Sequence, residues 1–273
     1  MSVSELLGYE FIQNALWASI LISICSGIIG SLCVANKTVF LAGGLAHGAY
    51  GGIGIAVFFG FSVMLGASLF VLFLALLLAY LLLHAKERID AIIGVIWAVG
   101  MALGIIFIDL TPGYSADFMS YLFGSIMAIS KEDLYIALGY DLLLVGFIAL
   151  FYRAILGFSY DADFARLKGI NTPWLSSLIL LFMALGVVIS MRAVGLILVI
   201  ALLSIPAYMA ERLSSSLHQM MVIASLLSWF FIVAGLVLSY LYDLTSGAVI
   251  IVVAAFSFSL LLLGQILYKG NQR

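Results

Sequence analysis

The sequence predicts an all-α fold, a polytopic bundle of transmembrane helices, and three observations support this prediction. Of the 273 residues, 66% are hydrophobic and only 9% are charged, whereas soluble globular domains are about 25% charged. The mean hydropathy is +1.29. Charged residues occur in small clusters between apolar runs, which leaves no stretch for a soluble domain. We therefore treat residues 1–273 as one transmembrane domain in contact with a lipid bilayer.

The first four spans follow from the spacing of the charged residues. A helix needs about 20 apolar residues to cross the hydrocarbon core. The uncharged run between Lys37 and Lys86 is long enough for two spans, with a break near Gly60. The turn signal Asp109-Leu-Thr-Pro-Gly ends the fourth. The predicted spans are 11–36, 40–59, 62–84 and 90–109.

The second half of the chain predicts five further spans and one shorter apolar segment. Residues 117–130 are apolar but too short to span, and we expect a re-entrant or interfacial segment there. The predicted spans are 133–156, 174–191, 194–210, 217–241 and 247–268. The segment 194–210 contains Pro206 and could instead be a broken helix inside the bundle, which leaves eight or nine spans. No lysine follows a glycine, so the chain has no phosphate-binding loop, and no basic block indicates nucleic acid.

The distribution of Lys and Arg predicts the orientation of the chain. With the N-terminus outside, only Lys131 and Arg192 lie on the outer side, and the other basic residues within the predicted topology lie in the cytoplasm. This orientation requires that residues 117–130 do not cross the membrane. It also places residues 157–173 in the cytoplasm.

The stretch 41–56 combines a histidine with a stripe of small residues. Gly44, Gly48 and Gly52 recur every fourth residue, and this spacing allows another membrane helix to approach closely. His47 projects from a neighbouring face, and an imidazole at membrane depth suggests a function. The same residues also fit a packing stripe with a histidine that hydrogen-bonds a neighbour, and the sequence leaves both interpretations open.

Two carboxylates are further candidates for ion handling. Asp141 is the only charged residue well inside a predicted span, so it must be paired, protonated or in contact with a polar cavity. It is a candidate metal ligand. Asp243 lies at the outer end of the eighth span, where it could bind an ion or cap the following helix.

The segment 157–173 is the longest polar stretch of the chain. Its residues Asp-Phe-Ala-Arg-Leu-Lys favour a short helix, and Gly169 suits a helix stop. A short cytoplasmic helix between spans can dock a soluble partner, although a solvated loop is the commoner case. The candidate partner-coupling residues are Asp161, Phe164, Ala165, Arg166 and Gly169.

Five sequence motifs, in the order in which a known family carries them, give the chain a resemblance to that family. They are Ala46-His-Gly followed by Gly52-Ile-Gly-Ile-Ala, then residues 120–130, 160–170, 194–207 and 238–248. Together these motifs resemble the permease subunit of bacterial ABC-type zinc, manganese and iron importers.

The resemblance implies a function and a set of partners. We expect a transporter subunit of the bacterial inner membrane rather than an enzyme, with no permanently bound cofactor. We also expect a homodimer, a separate cytoplasmic ATPase on residues 157–173, and an extracytoplasmic binding protein that delivers zinc, manganese or iron. The candidate metal ligands are His47, Asp141 and Asp243; the candidate path residues are Gly44, Gly48, Gly52 and Pro206.

One departure from the family pattern keeps two alternatives open. The family usually has an aspartate four residues before the histidine, whereas this chain has Gly43, so half of the expected ligand pair is missing. A neutral path would favour a permease for a siderophore or cobalamin. An intramembrane metalloenzyme with His47 and Asp141 as ligands is a further alternative, although no HExxH motif supports it.

Overall fold

The computed structural model describes residues 9–84, 88–112, 124 and 126–270, and this part of the chain folds as α-helices and connecting turns. It contains ten α-helices and one 3-10 turn, Ile126–Ala128. The helices are α1 Glu10–Ala35, α2 Val39–Phe59, α3 Val63–His84, α4 Ile89–Asp109, α5 Lys131–Tyr160, α6 Ala162–Leu167, α7 Thr172–Val194, α8 Leu196–Leu213, α9 Leu217–Tyr242 and α10 Ser246–Gly270.

Nine of these ten helices are long and apolar enough to cross a membrane, and α6 is the short exception. Each predicted span corresponds to one helix, with ends displaced by no more than a few residues. The segment around Pro206 is one continuous helix, α8, so nine spans are present in the described chain rather than eight. Most of the predicted re-entrant segment lies outside the described residues, and its re-entrant course stays a prediction.

Local sequence explains where several helices begin and end. Ser130 and Asp133 form a capping box at the start of α5, and the Ser216 side chain accepts the Gln219 amide at the start of α9. Gly60 ends α2 in the left-handed conformation. Gly195, with a φ of 81°, makes the one-residue corner between α7 and α8. These caps satisfy backbone groups that would otherwise be exposed at helix ends.

The bundle is arranged around α1 and α2. Helix α1 packs against α5, α7, α8 and α9, whereas α2 is enclosed chiefly by α3, α4 and α7. Because lipid is as apolar as leucine, helices in a membrane associate through close packing of small residues. A Cβ at Gly54 would lie 2.6 Å from Gly104 Cα, and a Cβ at Gly27 would lie 2.6 Å from Ser225 Cα. Glycine is therefore required at both contacts.

Candidate metal and coupling sites

His47 lies near the middle of α2, the most buried of the nine spans. The helix is enclosed on several sides, and only 9% of the His47 surface is exposed. An imidazole in this position must find its polar partners inside the protein. The structure thus places His47 near the middle of a helix long enough to span a membrane, and its location at membrane depth stays a prediction.

Two contacts fix the orientation of the His47 ring. Its Nδ1 lies 2.9 Å from the carbonyl oxygen of Gly43, which makes Nδ1 the protonated nitrogen and leaves the lone pair of Nε2 free to bind a cation. The ring also stacks on Trp97 of α4, with 3.6 Å between centroids and an angle of 20° between planes. Phe40 extends this aromatic row beyond Trp97. Sequence reasoning missed Trp97, which carries no signal among the other apolar residues of its span.

The position of the missing aspartate has room for a Cβ atom. A Cβ at Gly43 would meet only Cζ3 of Trp97, at 3.9 Å, which is ordinary van der Waals contact. The glycine is therefore not required by packing, unlike the other glycines of α2. The Gly43 carbonyl serves as the acceptor for His47, so this residue supports the imidazole through its backbone.

The glycine stripe of α2 provides contacts to its neighbouring helices. Added Cβ atoms at Gly44, Gly48 and Gly52 would meet, respectively, Ile93 of α4, Leu74 of α3 and the Gly66 backbone of α3. The stripe thus serves helix packing. Its further role in a translocation path stays a prediction, as does that of Pro206, which is buried within α8.

Asp141 is buried in the interior of the bundle on α5. Only 5% of its surface is exposed, and one carboxylate oxygen has no hydrogen-bond partner among the described residues. The neighbouring Tyr140 is satisfied, since its hydroxyl donates to the Phe182 carbonyl at 2.6 Å. A buried oxygen without a partner is costly, so Asp141 is a polar group available for an ion or a proton.

Asp243 ends one helix instead of capping the next. It lies at the C-terminus of α9 with a φ of 51°, and its amide donates to the Ser239 carbonyl. Helix α10 begins only at Ser246, so the expected N-cap role of Asp243 is wrong. The left-handed conformation suits aspartate, which tolerates it better than most residues.

The three predicted metal ligands do not converge in one chain. Among the described residues, no group of three His, Cys, Asp or Glu side chains is close enough to hold a metal ion. His47 lies in α2, Asp141 in α5 and Asp243 at the end of α9, and α2 shares little or no contact with α5 or α9. The three candidate ligands therefore do not form one site within the described part of a single protomer.

The predicted helix in residues 157–173 is present as α6. The Asp161 side chain caps it by accepting the amides of Asp163 and Phe164, and Gly169 ends it with a φ of 85°. The Arg166 guanidinium donates to the Thr172 hydroxyl at 3.3 Å, which ties α6 to the start of α7. The helix is thus held at both ends against the transmembrane bundle.

The two faces of α6 differ sharply. Ala165 is 1% exposed and faces the bundle, whereas Phe164 is 54% exposed and Leu167 is 87% exposed. Tyr160, at the end of α5, adds another exposed ring next to α6. These exposed apolar side chains form the outward face of α6. A larger side chain at position 165 would therefore displace α6 from the bundle of its own chain rather than block a partner directly.

An ion pair on the side predicted to face outward was not foreseen from the sequence. Nε of Arg192, near the end of α7, lies 2.6 Å from Asp133 in the first turn of α5. The pair lines a cavity of about 520 Å³ that reaches down to Ile53 of α2. Nothing in the sequence connected Asp133 with Arg192.

Comparison with known proteins identifies relatives along nearly the whole chain. An uncharacterised membrane protein of Synechocystis sp. is 45% identical over 254 residues, which cover 93% of this chain and 90% of the relative. The manganese transport system membrane protein MntC of Halalkalibacterium halodurans is 32% identical, covering 94% of this chain and 88% of that protein.

Two solved structures share the fold. The complex PsaBC from Streptococcus pneumoniae, solved with a Fab, contains a chain that matches with a TM-score of 0.85 and 27% identity, covering 95% of this chain and 93% of that one. An inward-facing transporter described as metal-chelate type matches with a TM-score of 0.71 at 17% identity, a likeness that shows the fold alone.

Several relatives are named as membrane proteins of transport systems, and the nine candidate spans of the described chain fit such a protein. The chain is thus a multi-pass membrane transport protein of the permease type, as its resemblance implied. The model of the ABC 3 transport family matches residues 8–265, and the chain belongs to this family.

Proposed function

We propose that this chain is the permease subunit of an ATP-driven importer of divalent metal ions, with manganese as the first candidate cargo. The observation that carries this proposal is His47, held in the middle of the most buried span with Nε2 free to bind a cation. The relatives named as manganese transport proteins support manganese, while zinc and ferrous iron also suit an imidazole ligand.

A second copy of the chain would complete the metal site. One imidazole cannot hold a divalent ion tightly, and the described residues of one protomer bring no set of three His, Cys, Asp or Glu side chains together at His47. In a homodimer, two His47 imidazoles could face a shared central path. Asp141 and Asp243 would then act elsewhere along the path or in structural roles, and His47 is the ligand for which the geometry offers most support.

The outward face of α6 would bind the cytoplasmic ATPase. Phe164 and Leu167 offer apolar side chains to a partner, and Asp161, Arg166 and Gly169 hold the helix in place. Ala165 fixes α6 against the bundle, so ATPase movement could be transmitted to α5 and α7. On the other side of the membrane, an extracytoplasmic binding protein would deliver the ion to the cavity beside Asp133 and Arg192.

The two alternatives have less support. The likeness to a metal-chelate type transporter extends to the fold alone, and other relatives are named for manganese transport. An intramembrane metalloenzyme would require His47 and Asp141 to approach each other, and they lie on helices that are not packed together. Import of a free metal ion is therefore the better proposal.

Reconstitution tests this function directly. The chain and the ATPase encoded with it are purified together and placed in proteoliposomes, and ATP-dependent uptake of manganese, zinc and iron is compared. We expect manganese uptake that requires ATP. Uptake of a siderophore complex without uptake of any free ion would contradict the proposal.

The coupling surface is tested with two variants of α6. Leu167→Asp changes only the outward face and should prevent co-purification of the ATPase while the chain remains folded. Ala165→Trp should instead lower the thermal stability of the permease itself, because this residue is buried against the bundle. If the ATPase still co-purifies with Leu167→Asp, the outward face is not the docking surface.

A further inference from the structure

A long groove runs along the membrane-facing surface of the bundle. It has a volume of about 610 Å³ and lies between α1, α5 and α9. Apart from Tyr152, His218 and Ser225, the residues that line it have purely apolar side chains. Its floor is formed by α1 and its walls by the other two helices; the principal lining residues are Ile24, Ile28, Val145, Ala149, Val222 and Leu226.

The groove arises from unequal helix contacts. Helix α9 approaches α1 closely because Gly27 has no side chain to keep Ser225 away. Helix α5 also packs against α1, but α5 and α9 share little contact with each other along their length. They meet at one end, where the His218 amide donates to the Tyr152 hydroxyl at 3.1 Å. The groove is therefore open sideways and closed at this end by polar groups.

The position of the groove among membrane spans and its apolar lining favour an apolar occupant. All three helices are membrane spans, so the open side faces the hydrocarbon of the bilayer. Val145, Val222 and Leu226 are exposed along the walls, and an apolar surface of this kind does not hold water. An empty groove would forfeit dispersion contacts. The volume falls within the range of about 300–1,000 Å³ found for small-molecule sites, and a lipid acyl chain is the apolar molecule always at hand.

The closed end of the groove carries a positive charge. Arg153 follows Tyr152 directly in α5, is exposed, and forms no ion pair with the described residues. Helix α9 begins at Leu217 beside the same end, so the positive end of its dipole lies there too. Both features favour a phosphate. We propose that this groove binds one acyl chain of an anionic phospholipid whose phosphate contacts Arg153.

Lipid binding by the purified full chain tests this proposal without any transport assay. The protein is exchanged into detergent containing equal amounts of phosphatidylglycerol and phosphatidylcholine, and native mass spectrometry counts the lipids retained. We expect the wild-type chain to retain one phosphatidylglycerol molecule in preference to phosphatidylcholine. Ala149→Trp fills the groove from an exposed position, and we expect it to lower retention at least about tenfold.

Two matched variants separate the acyl chain from the headgroup. Leu150→Trp adds bulk at the neighbouring exposed position, which does not line the groove, and should retain lipid as the wild type does. Arg153→Gln should reduce the preference for phosphatidylglycerol about fivefold while phosphatidylcholine binding persists. Equal retention by Ala149→Trp and the wild type would overturn the proposal.

A subunit interface in place of lipid would give a different result. Cysteines introduced at Val145 and Leu226 would then form disulfide-linked dimers in native membranes, and this result would also overturn the proposal. If the groove binds lipid, these two positions should instead be labelled by a lipid that carries a photoreactive acyl chain. The outcome does not depend on metal transport, so the lipid site and the proposed transport function can fail separately.

Discussion

His47 and His84 share one local geometry in two different surroundings. In each, Nδ1 lies close to the carbonyl oxygen four residues earlier, 2.9 Å from Gly43 in the first case and 2.8 Å from Tyr80 in the second. Each ring also stacks on an aromatic side chain. A histidine that bonds back along its own helix is therefore not by itself a sign of function.

The difference between the two lies in burial and in the origin of the aromatic partner. His47 is buried in the middle of α2 and stacks on Trp97 from another helix, whereas His84 is exposed at the end of α3 and stacks on Tyr80 from its own helix. The approach of Trp97 requires glycines where α2 and α4 meet. It is the packing of neighbouring helices, rather than the local motif, that distinguishes a candidate ligand from a helix end.

The largest effect should come from removing the imidazole of His47, with removal of the His84 imidazole as the control. His47→Ala should lower metal affinity by about 100-fold or more, since loss of an outer-shell partner alone costs about 10–100-fold. His84→Ala removes an exposed ring with the same backbone hydrogen bond and should transport as the wild type does. The measurement is manganese uptake in cells that lack other importers, together with the amount of folded protein in the membrane.

Equal uptake by His47→Ala and His84→Ala would show that both histidines are structural. A loss of folded protein in His47→Ala would leave transport undecided, and uptake should then be compared at matched protein levels. His47→Gln keeps a hydrogen-bonding side chain of similar size and serves as the second variant. Transport by this variant at the wild-type rate would also contradict a ligand role.

The sequence was sufficient for the fold because crossing a membrane needs long uncharged runs. The spans around His47 and Pro206 were both located within a few residues. The surroundings of His47 were not predictable, because Trp97 is one apolar residue among many in α4. The pairing of Asp133 with Arg192 was hidden for a similar reason, since the two lie on separate helices and each has an ordinary interpretation alone. The surroundings of the candidate site depend on contacts between residues far apart in the sequence, and these contacts cannot be predicted from composition.

The second prediction concerns a substitution that should push α2 and α4 apart. A Cβ at Gly100 would lie 2.6 Å from Gly48 Cα, one turn away from Trp97, so Gly100→Val should push the helices apart and unstack Trp97 from His47. Overpacking of this kind costs about 1–3 kcal/mol of stability. Gly94→Val is the control, because nothing lies within 4 Å of a Cβ at this position of the same helix. The readouts are thermal unfolding and metal uptake, and equal behaviour of the two variants would contradict the packing argument.

The third prediction restores the carboxylate that the family usually carries. Gly43→Asp adds a Cβ atom where there is room for one, and its carboxylate, one turn before His47, should tighten manganese binding about tenfold while slowing release. Gly43→Asn has the same shape without the charge and should show neither effect. Binding is measured by calorimetry on the purified complex, and turnover by uptake at saturating metal. Identical affinities for the Asp and Asn variants would show that this position does not face the ion.

The smallest expected effect concerns the aromatic partner of His47. Trp97→Leu removes the stack, which is worth about 0.5–1.5 kcal/mol, and should therefore weaken metal binding between about twofold and tenfold. Trp97→Phe keeps an aromatic face and should recover most of the affinity, a result that loss of bulk alone would not give. Trp229→Leu removes an exposed tryptophan of α9 and serves as the control. If Leu and Phe at position 97 bind metal equally well, the ring of Trp97 does not orient His47, and the burial of this histidine alone distinguishes it from His84.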